Sequence, residues 1–309
     1  MSAHPPAALW PQDLARRRDR AQLSLRACRL CPRDCGVDRH AGPTGAWCRL
    51  GADAYAYKEL LSHGEEACIG PTWLIDLSGC SLRCLFCTEW AHITQPMAAP
   101  AVPLRSGWFL RRLAHHIGQG ARSLSFVGGE PTVNLAAVLS VLADVPPASQ
   151  LPIVWNSNGL VGEDAWPLLT DVVRTWLIDL KVSTASAATQ MLGAGDLDYG
   201  ARVRDTLDRV HPATPPLLTD PARGLPTLII RHLLMPGALA SETLPLLHEI
   251  AQRWPHAVVN LMTMYLPFGP ALKQLPAMPA LRTLLPPNER DQAIGVARQL
   301  GLHLLVDGR

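Results

Sequence analysis

The amino-acid sequence predicts an α/β fold, in which a cysteine-rich N-terminal module precedes a partial or full (β/α) barrel. Three observations lead to this prediction. Short, continuously apolar runs alternate with stretches of helical length, polar motifs end most of these runs, and all eight cysteines lie between Cys28 and Cys87. Continuously apolar strands are typical of a parallel sheet covered on both faces. We expect the module to span residues 1–68 and the barrel to span residues 69–309.

Seven apolar runs are predicted strands: 72–78, 123–129, 152–158, 175–181, 227–235, 257–264 and 302–306. Stretches of helical length lie between some of them: 106–118, 134–143, 241–254 and 288–301. Repeated β–α units with right-handed crossovers can close into a barrel. Active-site residues of such barrels lie at the C-terminal ends of the strands. The polar residues that end each run are therefore the candidates for function.

Composition narrows the functional classes. The chain has 309 residues, of which 48% are hydrophobic, so it can bury a full core. A net charge of +2 with scattered arginines gives no basic surface for nucleic acid. Nothing resembles a secretory signal, and no apolar run approaches the ~18 residues of a membrane span. We therefore expect a cytoplasmic protein with neither a nucleic-acid nor a membrane partner.

The strongest motif follows the first predicted strand. The segment LSGCSLRCLFCTEW spaces Cys80, Cys84 and Cys87 as C-x3-C-x2-C. In a reducing compartment, clustered cysteines indicate metal binding rather than disulfides. Thiolates suit iron, and a cubane cluster needs four ligands, so three cysteines leave one iron open to a cofactor. A zinc loop completed by a distant ligand is the alternative.

This spacing, the aromatic Phe86 before the third cysteine and the strands that follow resemble the radical S-adenosylmethionine (SAM) superfamily. The resemblance implies a [4Fe–4S] cluster on Cys80, Cys84 and Cys87 with SAM chelated to its open iron. It further implies reductive cleavage of SAM to methionine and a 5′-deoxyadenosyl radical, which takes hydrogen from a substrate. These three cysteines would be the catalytic residues, and Phe86 would lie beside the cofactor.

The second strand ends in FVGGEPT, where the glycines let backbone approach a ligand and Glu130 supplies a carboxylate. This looks like the family's GGEP motif, which implies that Gly128, Gly129 and Glu130 bind SAM. The structural alternative is an ordinary strand-to-helix turn.

The third strand ends in WNSNG, which is similar to the family's (T/S)NG segment near SAM. The similarity implies cofactor contacts from Asn156, Ser157 and Asn158. The structural alternative is an Asx-type turn, which these residue types also favour.

The fourth and fifth strands supply further candidates. Asp179 and Lys181 stand two residues apart and therefore share a strand face. They resemble a DxK of related activating enzymes with contacts to SAM or substrate, and a simple ion pair is the alternative.

On the fifth strand, Arg231 and His232 point to opposite faces. The surrounding RHLLMPG resembles pyruvate formate-lyase activating enzymes, which implies that His232 lies near the SAM ribose and that Arg231 is structural.

The N-terminal set has the spacing Cys28-x2-Cys31-x3-Cys35-x12-Cys48. Four thiolates this close can enclose a zinc ion or a second iron–sulfur cluster, and the spacing serves both. The block resembles the PflX-like group of pyruvate formate-lyase activating proteins, whereas the true activating enzymes lack it. Cys68 has no evident partner and is interpreted as a buried free thiol.

The functional hypothesis is a radical SAM oxidoreductase, similar to pyruvate formate-lyase activating enzymes, that abstracts hydrogen from a protein or peptide. A flavodoxin or ferredoxin would supply the electrons. The substrate class rests on family analogy. The alternatives are radical modification of a small molecule or a ribosomally made peptide, and a non-catalytic iron–sulfur carrier or sensor. The polar strand-end motifs argue against a carrier, because it has no use for a SAM pocket.

Overall fold

The computed structural model describes residues 10–64, 66–212, 224–268 and 279–309. In these ranges the strands are β1 Tyr55–Ser62, β2 Thr72–Leu77, β3 Val102–Pro103, β4 Ser123–Gly128, β5 Ile153–Ser157, β6 Val173–Asp179, β7 Leu228–Leu233, β8 Val258–Met262 and β9 His303–Val306. The α-helices are α1 Leu14–Ser24, α2 Trp90–Thr94, α3 Ser106–Gly118, α4 Leu135–Leu142, α5 Trp166–Leu169, α6 Ala185–Leu192, α7 Tyr199–Val210, α8 Leu244–Arg253 and α9 Pro287–Gln299. A π-helical turn, Leu239–Thr243, precedes α8, and short 3₁₀ turns lie at Leu25–Ala27, Thr132–Asn134, Pro147–Ser149 and Pro279–Arg282.

The described strands form one sheet in the order β3-β1-β2-β4-β5-β6-β7-β8-β9. From β2 to β9 every neighbouring pair is parallel, whereas β1 runs antiparallel to β2 and to β3. Among the described strands β3 and β9 lie at opposite ends of this order and do not pair, so the barrel is partial. All seven predicted strands are present, with ends shifted by at most two residues. β1 lies before residue 68 in the sequence and yet belongs to the same sheet as the later strands. The division of the chain into two domains at residue 68 stays a prediction.

Side-chain alternation divides the strand residues between two layers. One set packs under the helices, as Trp73 and Phe109 of α3 show with ring centroids 5.2 Å apart. The opposite set forms a small apolar cluster on the concave face of the sheet: Val154, Leu177, Ile229 and Val258, joined by Ile69 from the loop before β2. Ile69 and these strand residues close the N-terminal end of the concave face, and polar residues follow them further along each strand.

A buried polar network lies directly above this apolar cluster. The Glu66 carboxylate accepts from Arg231 Nε at 2.5 Å and Nη2 at 2.8 Å, and from Asn260 Nδ2 at 2.9 Å. Asn260 Oδ1 accepts in turn from the Gly308 amide at 3.1 Å. Two-point pairing of this kind offsets the cost of burying both charges. The network fixes the C-terminal segment against β7 and β8 beneath the functional end of the sheet.

No helix in the described part of the chain is long and apolar enough to cross a lipid bilayer.

Candidate functional site

A cavity of about 380 Å³ opens at the C-terminal ends of the parallel strands. Five of the parallel strands contribute an inward side chain near their ends: Asp76 of β2, Asn156 of β5, Asp179 of β6, Arg231 of β7 and Met262 of β8. Residues two apart on a strand share a face, and parallel strands end at the same edge. The fold therefore collects side chains that are far apart in sequence around one space.

The loop after β2 places Cys80, Cys84 and Cys87 on the wall of this cavity, together with Phe86. The three thiols are close enough to interact electrostatically with one another. Burial raises the pKa of all three, and that of Cys84 reaches about 12. The thiols are therefore neutral at pH 7 without metal, and binding a metal must displace their protons.

Backbone hydrogen bonds to the end of α6 fix the cysteine loop. The Arg83 amide donates to the Leu192 carbonyl at 2.9 Å, and the Leu85 amide donates to the Met191 carbonyl at 2.8 Å. In the described part of the chain no group of three or more His, Cys, Asp or Glu side chains is arranged to hold a single metal ion. A cubane sets a different requirement, because each cysteine binds a different iron. Three thiols on one fixed loop, with Cys80 and Cys84 buried and Cys87 partly exposed, fit that requirement.

Gly128 and Gly129 end β4, and both line the cavity. Gly128 has φ +99°, and a Cβ atom there would lie 2.4 Å from the Leu77 amide nitrogen. At Gly129 a Cβ atom would lie 2.0 Å from the Gly79 carbonyl oxygen, next to Cys80. Both positions therefore require glycine, because the turn after β4 presses directly on the strand end that carries the cysteine loop.

Glu130 is fully buried and lies behind the cavity wall, contrary to the position that we expected. Its Oε1 accepts from the Thr132 amide at 2.9 Å and the Ser157 hydroxyl at 2.8 Å, and its Oε2 accepts from the Asn158 amide at 2.9 Å. Burial raises the pKa of Glu130, and these hydrogen bonds partly offset that effect. Ser157 is likewise turned to this network. Both residues connect the β4 turn to the end of β5.

The two asparagines of the NSN motif take separate roles. Asn156 is 5% exposed and lines the cavity, and its Nδ2 has no hydrogen-bond partner among the described residues. Asn158 Nδ2 donates to the Ser81 hydroxyl at 3.0 Å and to Cys80 Sγ at 3.6 Å. An unmet buried donor is costly. Asn156 therefore offers a donor to a ligand in the cavity, while Asn158 supports the cysteine loop.

Asp179 and Lys181 both line the cavity and form an ion pair with Nζ 2.6 Å from Oδ2. Tyr199 braces the strand end, because its hydroxyl donates to the Asp179 carbonyl at 2.9 Å and accepts from the Lys181 amide at 3.1 Å. Burial alone would lower the pKa of Lys181, but Asp179 and Cys84 raise it above its ordinary value. Lys181 therefore stays protonated beside the cysteine loop, and the Asp179 carboxylate balances its charge.

The register of β7 corrects the expected role of His232, whereas the pairing of Arg231 with Glu66 agrees with the structural role that we expected for Arg231. Arg231 faces the cavity, whereas His232 faces the helices on the outer side of the sheet. The His232 ring bonds to the Leu180 carbonyl through Nδ1 at 2.8 Å and to Thr243 Oγ1 through Nε2 at 2.9 Å. Both ring nitrogens are satisfied within the protein, and burial lowers the pKa of the imidazole. The His232 side chain therefore does not line the cavity in which we expected the ribose.

Sequence reasoning missed three charged residues of the cavity, namely Lys58, Asp76 and Glu89. Asp76 Oδ2 lies 3.9 Å from Lys58 Nζ. Asp76 could have been found, because it is a carboxylate within the otherwise apolar run TWLIDLS, as Asp179 is within TWLIDLK. Lys58 lies on the antiparallel strand β1, which carries no apolar run, and Glu89 follows the cysteine loop without a motif of its own.

The N-terminal cysteines meet in a second, much smaller cavity. Cys28, Cys31, Cys35 and Cys48 all line a space of about 10 Å³. Burial raises the pKa of Cys31 and Cys48, and the Cys31 thiol also interacts electrostatically with the other three. Cys68 lies apart from both sets and packs against the apolar cluster around Ile69.

The N-terminal cavity lies next to the core cysteine loop. A Cβ atom on Gly79 would be 2.9 Å from the Cys48 carbonyl oxygen. The Arg83 guanidinium donates to the Cys80 carbonyl at 2.9 Å and also to the Trp47 carbonyl. The residues that flank one set of cysteines therefore contact the residues that flank the other.

Comparison with known proteins shows the fold. No family model matches the chain. An uncharacterized protein of Methanocaldococcus jannaschii is 28% identical over 291 residues, which cover 93% of this chain and 79% of that protein. The crystal structure of a radical SAM methyltransferase from Sphaerobacter thermophilus superposes on this chain with a TM-score of 0.50 at 13% sequence identity. The superposition covers 77% of this chain and 66% of the methyltransferase chain, which is just under two thirds of the methyltransferase's length. The chain therefore shares its fold with a radical SAM enzyme.

Proposed function

We propose that the protein is a radical SAM enzyme, in which Cys80, Cys84 and Cys87 hold a [4Fe–4S] cluster and the adjoining cavity holds SAM. One observation carries the proposal: three closely spaced thiols stand at the edge of a cavity with charged and amide side chains at the C-terminal ends of parallel strands. The shared fold supports it. When bound, the cluster and SAM would supply a 5′-deoxyadenosyl radical that abstracts hydrogen from the substrate.

The residues of the cavity suit a ligand with charges of both signs. Asp76 and Asp179 present carboxylates and Lys181 presents an ammonium group, while Asn156 has a free amide donor. SAM has an ammonium, a carboxylate and a sulfonium, so a wall of mixed charge can meet its polar end. Glycines at 128 and 129 leave backbone atoms accessible beside these side chains. In this scheme Glu130, Ser157 and Asn158 position the binding residues.

We further propose a protein or peptide as the substrate, with glycyl-radical activation as one reaction of this type. The β8 side of the cavity supports this, because Met262, Met264, Tyr265 and Leu266 line it. Met264 is 73% exposed and Leu266 is 56% exposed, so apolar side chains reach the mouth of the cavity. A substrate with its own apolar side chains can pack there. A flavodoxin or ferredoxin in the cytoplasm is the proposed electron donor.

The test is SAM cleavage by the anaerobically reconstituted full chain under dithionite. We expect equal amounts of 5′-deoxyadenosine and methionine, measured by liquid chromatography and mass spectrometry. Cys84→Ala should reduce both products to background, because it removes a ligand of the cluster. Cys68→Ala is the matched control, since Cys68 lies outside both cysteine sets. Product formation by Cys84→Ala at the wild-type rate would contradict the proposal.

A further inference from the structure

The four N-terminal thiols surround a space that nothing in the proposed radical chemistry requires. Cys28, Cys31, Cys35 and Cys48 line it together with apolar side chains and the buried Arg39. Its volume of about 10 Å³ admits about one sphere of the size of water. The wall is mostly apolar and sulfur, so a water molecule would find few partners there. The space is suited to sulfur-bound metal.

Arg39 gives an independent indication of what occupies this space. Its side chain is 3% exposed, and its guanidinium donates to Cys28 Sγ at 3.7 Å. The other acceptors are backbone carbonyls: Gly51 at 2.9 Å, Leu50 at 3.2 Å and Val133 at 2.7 Å. Within the described residues no carboxylate pairs with Arg39. A buried cation without an anion is strongly unfavourable.

Two more guanidinium groups lie between the cysteine sets and also use carbonyl acceptors. Arg33 donates to the Ser81, Gly193 and Ala194 carbonyls, at 2.8, 2.8 and 2.6 Å. Arg83 donates to the Cys80, Leu82 and Trp47 carbonyls. Neutral thiols would add no negative charge to balance these guanidinium groups. Four thiolates around a doubly positive metal centre keep two negative charges, which supplies the missing anion.

We propose that Cys28, Cys31, Cys35 and Cys48 hold an iron–sulfur cluster with no open ligand position, and that the buried Arg39 is its counter-ion and hydrogen-bond donor. The inference does not depend on the radical chemistry proposed for the barrel, because it stands on a separate set of residues.

The arrangement of the four thiols favours a cluster over a zinc ion. Zinc binds its four thiolates at about 2.3 Å from one centre. Among the described residues no group of three or more His, Cys, Asp or Glu side chains, these four cysteines included, is arranged to hold a single metal ion. In a cluster each cysteine binds a different iron, so the four sulfur atoms do not have to converge on one ion.

The first experiment isolates this site in the full chain. The variant with Cys80, Cys84 and Cys87 all changed to Ala is reconstituted anaerobically with iron and sulfide. We expect iron and sulfide in equal numbers, about two or about four of each per chain, with a cluster signature in the Mössbauer spectrum. One zinc per chain, or no metal, would overturn the inference.

The wild-type chain and Cys31→Ala provide the cross-check if the triple variant folds poorly. Cys31→Ala should lose the N-terminal iron and keep the core cluster. The two proposals fail in different ways. If the triple variant keeps all of the wild-type iron, the core site is wrong and the N-terminal site stands. If wild type and Cys31→Ala hold the same iron, the N-terminal site is wrong.

The second experiment tests the role of Arg39 through the reduction potential of the cluster in the triple variant. Arg39→Gln should shift the potential to more negative values, because net charge and hydrogen bonds to the sulfurs set it. Arg39→Lys should stay closer to the parent, since it keeps the charge. The control is Arg29→Gln, an exposed arginine of the same module that pairs with Asp34 at 3.2 Å.

Failure of Arg39→Gln to assemble the cluster, while Arg39→Lys assembles it, would support the same role for the charge. An Arg39→Gln cluster with the parent potential would overturn it. Loss of the cluster in both Arg39 variants would also overturn it, because the positive charge would then not be the deciding property.

Discussion

At the residue scale, Glu130 connects two loops of the site without facing the cavity. Three hydrogen bonds to its carboxylate join the turn after β4 to the end of β5. The Asn158 amide is one of the donors, and the Asn158 side chain in turn contacts Cys80 Sγ. Glu130 therefore controls the position of the cysteine loop from a distance.

Glu130→Gln tests this positioning role. A carboxamide has one acceptor oxygen and brings an NH₂ group against a backbone donor, so we expect a loss of about 1–3 kcal/mol in unfolding free energy. SAM affinity should fall as well, through displacement of Asn158. Urea unfolding and equilibrium dialysis with SAM measure the two effects. Glu163→Gln, which removes an exposed partner of Arg209, is the control and should change stability by less than about 0.5 kcal/mol. Equal stability of Glu130→Gln and wild type would contradict the role.

His232 predicts a pH dependence of stability. Burial lowers the pKa of its imidazole in the folded protein, so the unfolded chain binds the proton more readily. Its contribution is complete above about pH 6.5, the unfolded pKa, and is lost as pH falls through the folded pKa. Wild type should therefore lose stability more steeply than His232→Gln below about pH 6.5 in denaturant titrations. Parallel curves for the two proteins would show that His232 does not titrate in this way.

Residue identities alone predicted which side chains bear chemistry but not always which way they point. Ten of the predicted barrel-site residues line the cavity: Cys80, Cys84, Phe86, Cys87, Gly128, Gly129, Asn156, Asn158, Asp179 and Lys181. Glu130, Ser157 and His232 do not. Adjacent strand residues face opposite sides, so Arg231 and His232 can be distinguished only by the register of β7 with its neighbours. Family resemblance favoured the histidine, and the register favours the arginine.

At the scale of elements, the turn after β4 presses on the end of β2. Gly129→Ala would place a methyl group 2.0 Å from the Gly79 carbonyl oxygen. The backbone must shift, so we expect a loss of about 1–3 kcal/mol in stability and a lower core iron content after reconstitution. Gly118→Ala is the matched control, because a Cβ there meets nothing within 4 Å. If Gly129→Ala keeps full core iron and wild-type stability, the two loops are not coupled as described.

The parallel strands were predictable because both of their faces are buried, which produces continuous apolar runs. The antiparallel strands β1 and β3 were missed. β1 has the sequence YAYKELLS and is mostly half-buried, so it lacks that pattern, and β3 has only two residues. Missing β1 also removed Lys58 from the predicted site. The edge of the sheet formed by β3 and β1 was therefore the part of the fold that the sequence predicted least well.

At the scale of the whole molecule, the two cysteine sets are neighbours although 31 positions separate Cys48 from Gly79. Their contact depends on arginine side chains that bind backbone carbonyls, as Arg33 and Arg83 do. A backbone carbonyl exists at every residue, so such contacts have no sequence signature. The sequence predicted that both sets of cysteines bind metal. It did not predict that the two sets lie close together or that Arg39 is buried.

The measurement that tests the central claim most directly is the electron paramagnetic resonance spectrum of the reduced full chain, recorded before and after SAM is added. Three cysteine ligands leave one iron able to bind SAM. We predict that SAM changes the signal of the core cluster, that the change is absent from the Cys80, Cys84 and Cys87 triple variant, and that 5′-deoxyadenosine accumulates. A reduced core cluster whose spectrum is the same with and without SAM, with no 5′-deoxyadenosine formed, would contradict the assignment of this cavity to SAM.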